Sequence, residues 1–217
     1  MSEYLSINII VELICFIIAI ICLTGDKSTT WKSWIIYLFI TCVTEITGKI
    51  LRHAHDTHLN ELIYNIYILF EAGFITALLS NIISRYTNTK PVIYGGLSLL
   101  MFLYMIEVIQ HGIYIFNNMT TTVMSVLFVL YGLYYYYLLL KDEQYVKLTC
   151  HAPFWWVTGI VFFYFGSTVS NLIFSIIVIE DNSDSFRYNI YLSLNILLYS
   201  FLSYSFICRY LQRTSSS

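Results

Sequence analysis

Seven apolar runs of about 20 residues, each closed off by a short polar stretch, dominate this sequence. A helix needs about that many mainly apolar residues to cross a hydrocarbon layer, and lipid offers no partner to open backbone groups. The runs therefore read as membrane-spanning helices at 5–23, 33–53, 62–83, 91–111, 121–140, 154–179 and 188–211. Hydrophobic residues make up 58% of the chain and charged residues 11%, and the mean hydropathy is +0.71, far from soluble globular usage. The expected fold is all-α: a polytopic transmembrane bundle of seven helices forming a single domain over 1–217. Its two prolines, Pro91 and Pro153, fall at expected helix starts, where a missing backbone donor is harmless. The first run follows Glu3 without a basic leader or a small-x-small cleavage pattern, so it reads as a retained helix.

Sidedness follows from the basic residues in the short connections. Lys27, Lys32, Arg85, Lys90, Lys141, Lys147, Arg209 and Arg213 fall on one side, against Lys49, Arg52 and Arg187 on the other. The richer side is expected to be cytoplasmic, which puts the N-terminus outside and the C-terminus in the cytoplasm of a multi-pass cell-membrane protein. Trp31, Trp34, Tyr134 to Tyr137, Trp155 and Trp156 then lie at the inner interface, where aromatic rings anchor helices. A net charge of -2 provides no basic field for nucleic acid. None of the five cysteines falls in an expected outer loop, so no outer disulfide is expected.

Ionisable groups inside a membrane are costly, so each marks a candidate site. Counting along the helices places Glu12, Glu45, Lys49, Glu107, Asn171 and Asn195 in the outer half, with Glu71 near the middle and no acidic residue in the inner half. This asymmetry predicts a polar pocket that opens outward. Glu45, Lys49 and Arg52 share a helical face, which allows Glu45 to pair with Lys49. Tyr64, Tyr67 and Glu71 share another, so two phenols and a carboxylate would line one wall and suit a cationic or polyhydroxylated ligand. Equally, these groups serve as interhelical hydrogen bonds that hold a bundle together. Thr44 with Gly48, and Gly166 with Ser170, are small-xxx-small pairs read as packing contacts.

The second connection, from Arg52 to Glu61, carries His53, His55 and His58, a set that would suit zinc or weakly acidic titration, although the spacing matches no established metal motif. Its plain alternative is a solvated helix-capping loop. His111 closes the fourth run, and His151 lies on the inner side. Asn118, Met119 and Thr120 form a glycosylation triplet, of a kind common by chance.

Leu62-Ile63-Tyr64-Asn65-Ile66-Tyr67 with Phe70-Glu71, and Pro153-Phe154-Trp155-Trp156-Val157-Thr158-Gly159 with Tyr164-Phe165-Gly166, carry a resemblance. In these two stretches and in its topology the chain resembles a group of small bacterial seven-helix membrane proteins, similar to the seven-helix sensor regions of some histidine kinases. The resemblance implies a membrane sensor and no particular ligand or catalytic residue. It does not extend to a kinase catalytic module, so the expected function is a receptor-like subunit that binds a small ligand or ion and signals through a separate cytoplasmic partner. A small proton- or cation-coupled transporter is the alternative, without a visible internal repeat or pair of broken helices. The seventh run has no lysine for a retinal Schiff base. An intramembrane metal hydrolase needs ligands converging from several helices, whereas most histidines here lie in one connection, so no enzymatic activity is expected.

Overall fold

The computed structural model describes residues 6–142, 148–176 and 183–214. Among them are seven α-helices and one short 3-10 turn, with no strand. The helices are α1 (Ile7–Leu23), α2 (Thr29–His53), α3 (Thr57–Ile83), α4 (Lys90–His111), α5 (Asn118–Lys141), α6 (Ala152–Ile176) and α7 (Ser183–Thr214), and the turn is Leu148–Cys150. The expected limits at Leu5 and Ile179, and the basic residue Lys147, lie outside the described residues.

Hydropathy marks the stretch that lipid would cover, whereas backbone hydrogen bonding sets the helix, and the two differ at helix starts. α2, α3, α5 and α7 all begin three to five residues before the apolar run does. At α3 the cause is local: Asp56 precedes the helix, and its side chain accepts from the Leu59 N–H at 3.0 Å. Pro91 and Pro153 are each the second residue of their helices, where the ring's fixed φ suits the first turn. α4 stops at Gly112, whose φ of 84° few other residues adopt.

Six helices, α2 to α7, are long and apolar enough to cross a membrane. α1 is strongly apolar but has 17 residues. The burial pattern fits lipid rather than water as the solvent. Ile109, Val92, Phe102 and Leu140 are largely exposed, while Asn65, Thr76, Ser80, Ser125 and Ser205 are buried. In water this arrangement would be inverted; in lipid it leaves the polar groups facing protein partners. The chain is a multi-pass membrane protein.

Two compact units share the chain, and α2 contributes to both. One runs from Phe39 to Lys141 and holds the latter part of α2 with α3, α4 and α5, which pack on one another around Ile75, Leu79, Leu100, Met124 and Phe128. The other holds α1, the beginning of α2, the 3-10 turn, α6 and α7. There α7 packs against both α1 and α6, and Trp34 sits edge-on to Trp156 at 5.6 Å and beside Phe206 at 5.8 Å.

Candidate polar site between two helices

Within the Phe39–Lys141 unit, α2 presents Thr41, Glu45, Gly48 and Arg52 at spacings of four, three and four residues, which is one helical face. α3 answers with Tyr64, Tyr67 and Glu71. The absence of a side chain at Gly48 leaves room for the Tyr64 ring, since a methyl group on it would come 2.7 Å from the Tyr64 hydroxyl. That hydroxyl donates to Glu45 Oε2 at 3.2 Å and accepts from Arg52 Nη2 at 3.4 Å. Arg52 Nε is held in turn by the Gly48 carbonyl at 3.3 Å. One level along, the Tyr67 hydroxyl lies 2.9 Å from Thr41 Oγ1 and 3.5 Å from Glu71 Oε1.

The seam therefore contains two phenol–carboxylate pairs, one joined to a guanidinium. Glu45, Tyr64, Tyr67 and Glu71 are half-buried and Arg52 is exposed. The expected pairing of Glu45 with Lys49 is not formed. Lys49 stands one turn further along, but a donor from the facing helix reaches the carboxylate instead, and a neutral phenol gives it a bond without bringing in a second charge that must be desolvated. Thr41 and Arg52 belong to the seam as well. The α2 periodicity that placed Arg52 on the Glu45 face reaches Thr41 as well when it is carried one turn back.

The other expected site residues have different surroundings. Glu107, 8% exposed, caps α5: its oxygens accept from the Met119 N–H at 2.8 Å, the Thr120 N–H at 2.7 Å and the Thr120 hydroxyl at 2.6 Å. These are donors that the first turn of a helix leaves without an internal acceptor, so this carboxylate has a structural task. Thr120, third in the glycosylation triplet, is buried by the same contact. Glu12, Asn171 and Asn195 belong to the other unit. Glu12 is buried and Asn195 half-buried, while Asn171 joins α6 to α7 by accepting from the Tyr191 hydroxyl at 2.6 Å and from Arg187 at 3.3 Å.

His53 ends α2, His55 takes a φ of 58° in the connection, and His58 in the first turn of α3 meets the Tyr114 ring edge-on at 6.0 Å. All three are exposed, and among the described residues no group of three or more His, Cys, Asp or Glu side chains converges as a metal would need. The first turns of α3 do line an open depression of about 310 Å³, formed by Thr57, His58, Glu61, Tyr114, Ile115, Phe116 and Asn118.

Two polar centres were not foreseen. Asn65, fully buried, spans the α4–α5 connection by donating to the Ile113 and Ile115 carbonyls, both at 2.8 Å, and accepting from the Asn117 N–H at 3.1 Å. An amide in the middle of an apolar run was its signal. In the other unit Arg209 clasps Asp26 through two nitrogens at 2.7 and 3.1 Å, with its guanidinium 5.4 Å from the Trp31 ring. Asp26 is 2% exposed, and its burial pushes the carboxyl upward. The Arg209 bonds, the Ser28 N–H and the nearby Arg213 charge outweigh that and hold it below the usual carboxylate range.

No protein-family model, curated protein or solved structure matches this chain.

Proposed function

We propose that this protein is a receptor-like subunit of the cell membrane with seven spans, its N-terminus outside and its C-terminus cytoplasmic. Its α2–α3 seam binds a small cation or cationic ligand, and a separate cytoplasmic partner carries the signal onward. The observation that carries this reading is the Arg52–Tyr64–Glu45 chain. Its phenol is shared between a guanidinium and a carboxylate, so a cation arriving at Glu45 competes with Tyr64 for the carboxylate and leaves the hydroxyl proton without its acceptor. Binding is thereby coupled to the contact between two helices, which a receptor requires and a purely structural bond does not.

Counting α1 as the seventh span rests on its apolar face. Ile7, Ile10, Ile14, Ile17 and Ile21 are exposed at spacings of three and four, a stripe that lipid would cover. The orientation rests on the distribution of Lys and Arg.

The test uses the full chain in lipid nanodiscs, with thermal unfolding followed against sodium, potassium and the polyamine spermidine. A ligand at about 100 times its dissociation constant stabilises the bound state by about 2.7 kcal/mol, so a binding cation raises the midpoint in the wild type and not in Glu45→Gln. If none of the three moves the midpoint, the cation-binding reading fails. Stoichiometric recovery of a second protein from native membranes supports the receptor role. Proton-driven uptake into vesicles by the chain alone would replace that role with transport.

A further inference from the structure

Five cysteines are present as free thiols, and four of them, Cys15, Cys22, Cys42 and Cys208, are buried. Cys150 is the exposed one. It ends the 3-10 turn that precedes α6 and so stands outside the apolar span that begins at Ala152. The turn is strapped to the last turns of α7. Tyr204, Cys208 and Gln212 recur every four residues and so share one face of that helix. The Tyr204 hydroxyl donates to the Thr149 carbonyl at 2.9 Å, Cys208 Sγ donates to the same carbonyl at 3.7 Å, and the Gln212 amide donates to the Cys150 carbonyl. On the α6 side the Trp155 indole donates to the Leu148 and Thr149 carbonyls at 3.1 and 3.3 Å. The Cys208 thiol is thus pressed against the peptide bond between Thr149 and Cys150, and Gln212, one turn further along α7, holds the carbonyl on the other side of Cys150, so α7 grips the turn at the residue that carries the exposed thiol.

We propose that Cys150 and Cys208 form a redox-modification site, a dithiol that a water-borne hydroperoxide converts into a disulfide joining the 3-10 turn to α7. The exposed member attacks first: Cys150, as its thiolate, takes one oxygen of hydrogen peroxide, becomes a sulfenic acid and releases the first water after protonation. The Cys208 sulfur then displaces the sulfenic oxygen as the second water, and the S–S bond forms. Two thiols lose two protons and two electrons, and one peroxide is reduced to two waters. Burial keeps Cys208 from reacting directly with the oxidant, so the pair has an attacking and a resolving member. The covalent link fixes the turn on the helix segment that also carries Arg209 and its pairing with Asp26.

Trypsin cutting after Lys147, Arg187 and Arg209 leaves Cys150 in peptide 148–187 and Cys208 in peptide 188–209, each with no other cysteine. The full chain in nanodiscs is oxidised with hydrogen peroxide, denatured, alkylated and digested. The expected result is that two of the five thiols are lost to alkylation and that peptides 148–187 and 188–209 are joined by a bond dithiothreitol cleaves. Cys208→Ser is expected to stop at the Cys150 sulfenic acid, trapped by dimedone. If Cys208 still takes the alkylating reagent after oxidation, while Cys150 is overoxidised, unreacted or bonded to a second chain, the proposal is overturned. Because the wild-type peptides alone decide the matter, the test survives any variant that fails to fold.

Discussion

Glu107 on α4 accepts from the Thr120 N–H at 2.7 Å and from the Thr120 hydroxyl at 2.6 Å, so the carboxylate of one helix caps the start of the next. Glu107→Gln offers only one accepting oxygen and no charge to the helix N-terminus. It is expected to destabilise the protein by about 1–3 kcal/mol, the cost of a buried donor left without its acceptor. Thermal unfolding in nanodiscs reads this directly, and cation-induced stabilisation at the α2–α3 seam should persist in the variant. A variant as stable as the wild type would mean that the cap is dispensable.

Asn65 holds the same connection from the other side, through the Ile113 and Ile115 carbonyls and the Asn117 N–H. Asn65→Ala leaves those backbone groups without their partner. Amide exchange at Asn117 should accelerate by about tenfold or more, since about 1.4 kcal/mol corresponds to a factor of ten. Exchange in α7, which belongs to the other unit, should stay unchanged. Equal protection of Asn117 in both proteins would show that Asn65 does not hold the connection.

These two residues also show which parts of the architecture a reader of the sequence can reach. Apolar runs located all seven helices, because lipid forces length and hydropathy to agree, and the prolines marked two starts because the ring tolerates few other places. Periodicity grouped Tyr64, Tyr67 and Glu71 correctly, since it is a property of one helix. Partners across helices were not legible in this way. Glu45 was expected to pair along its own helix and found Tyr64 on the next, and Glu107 was read as a pocket residue and serves as a cap. The tie between Asp26 and Arg209 joins opposite ends of the chain. A helical face can be read from spacing, but the neighbour that faces it depends on packing.

That tie should be visible as a dependence on pH. The folded-state pKa of Asp26 lies below the ordinary value of 3.8, so its contribution to stability is complete above about that pH and is lost as pH falls through the lower, folded value. Asp26→Asn keeps the shape and removes the charge. Because Arg209 is 30% exposed and partly solvated, the expected loss at neutral pH is about 1–2 kcal/mol, less than for a fully buried pair. Once the pH has fallen below that folded value the two proteins should converge in stability. A constant difference across the acid range would show that the loss in the variant comes from packing rather than charge.

Gly48 and Tyr64 offer a way to separate close packing from hydrogen bonding within the candidate site. Tyr64→Phe removes the hydroxyl that joins Arg52 to Glu45 and leaves the ring in place, an expected cost of about 1–2 kcal/mol. Gly48→Ala sets a methyl group 2.7 Å from that hydroxyl and 2.9 Å from a ring carbon, so the ring itself must move, and overpacking of this kind costs about 1–3 kcal/mol. The two changes therefore act on one contact by different routes. If the clash is with the ring, Gly48→Ala should cost much less in a Tyr64→Ala background than in the wild type, a non-additivity that a double-mutant cycle measures from four unfolding midpoints. Strict additivity would mean that the helices separate rather than the ring yielding, and Glu45 would then lose its phenol in Gly48→Ala even though Tyr64 is still present.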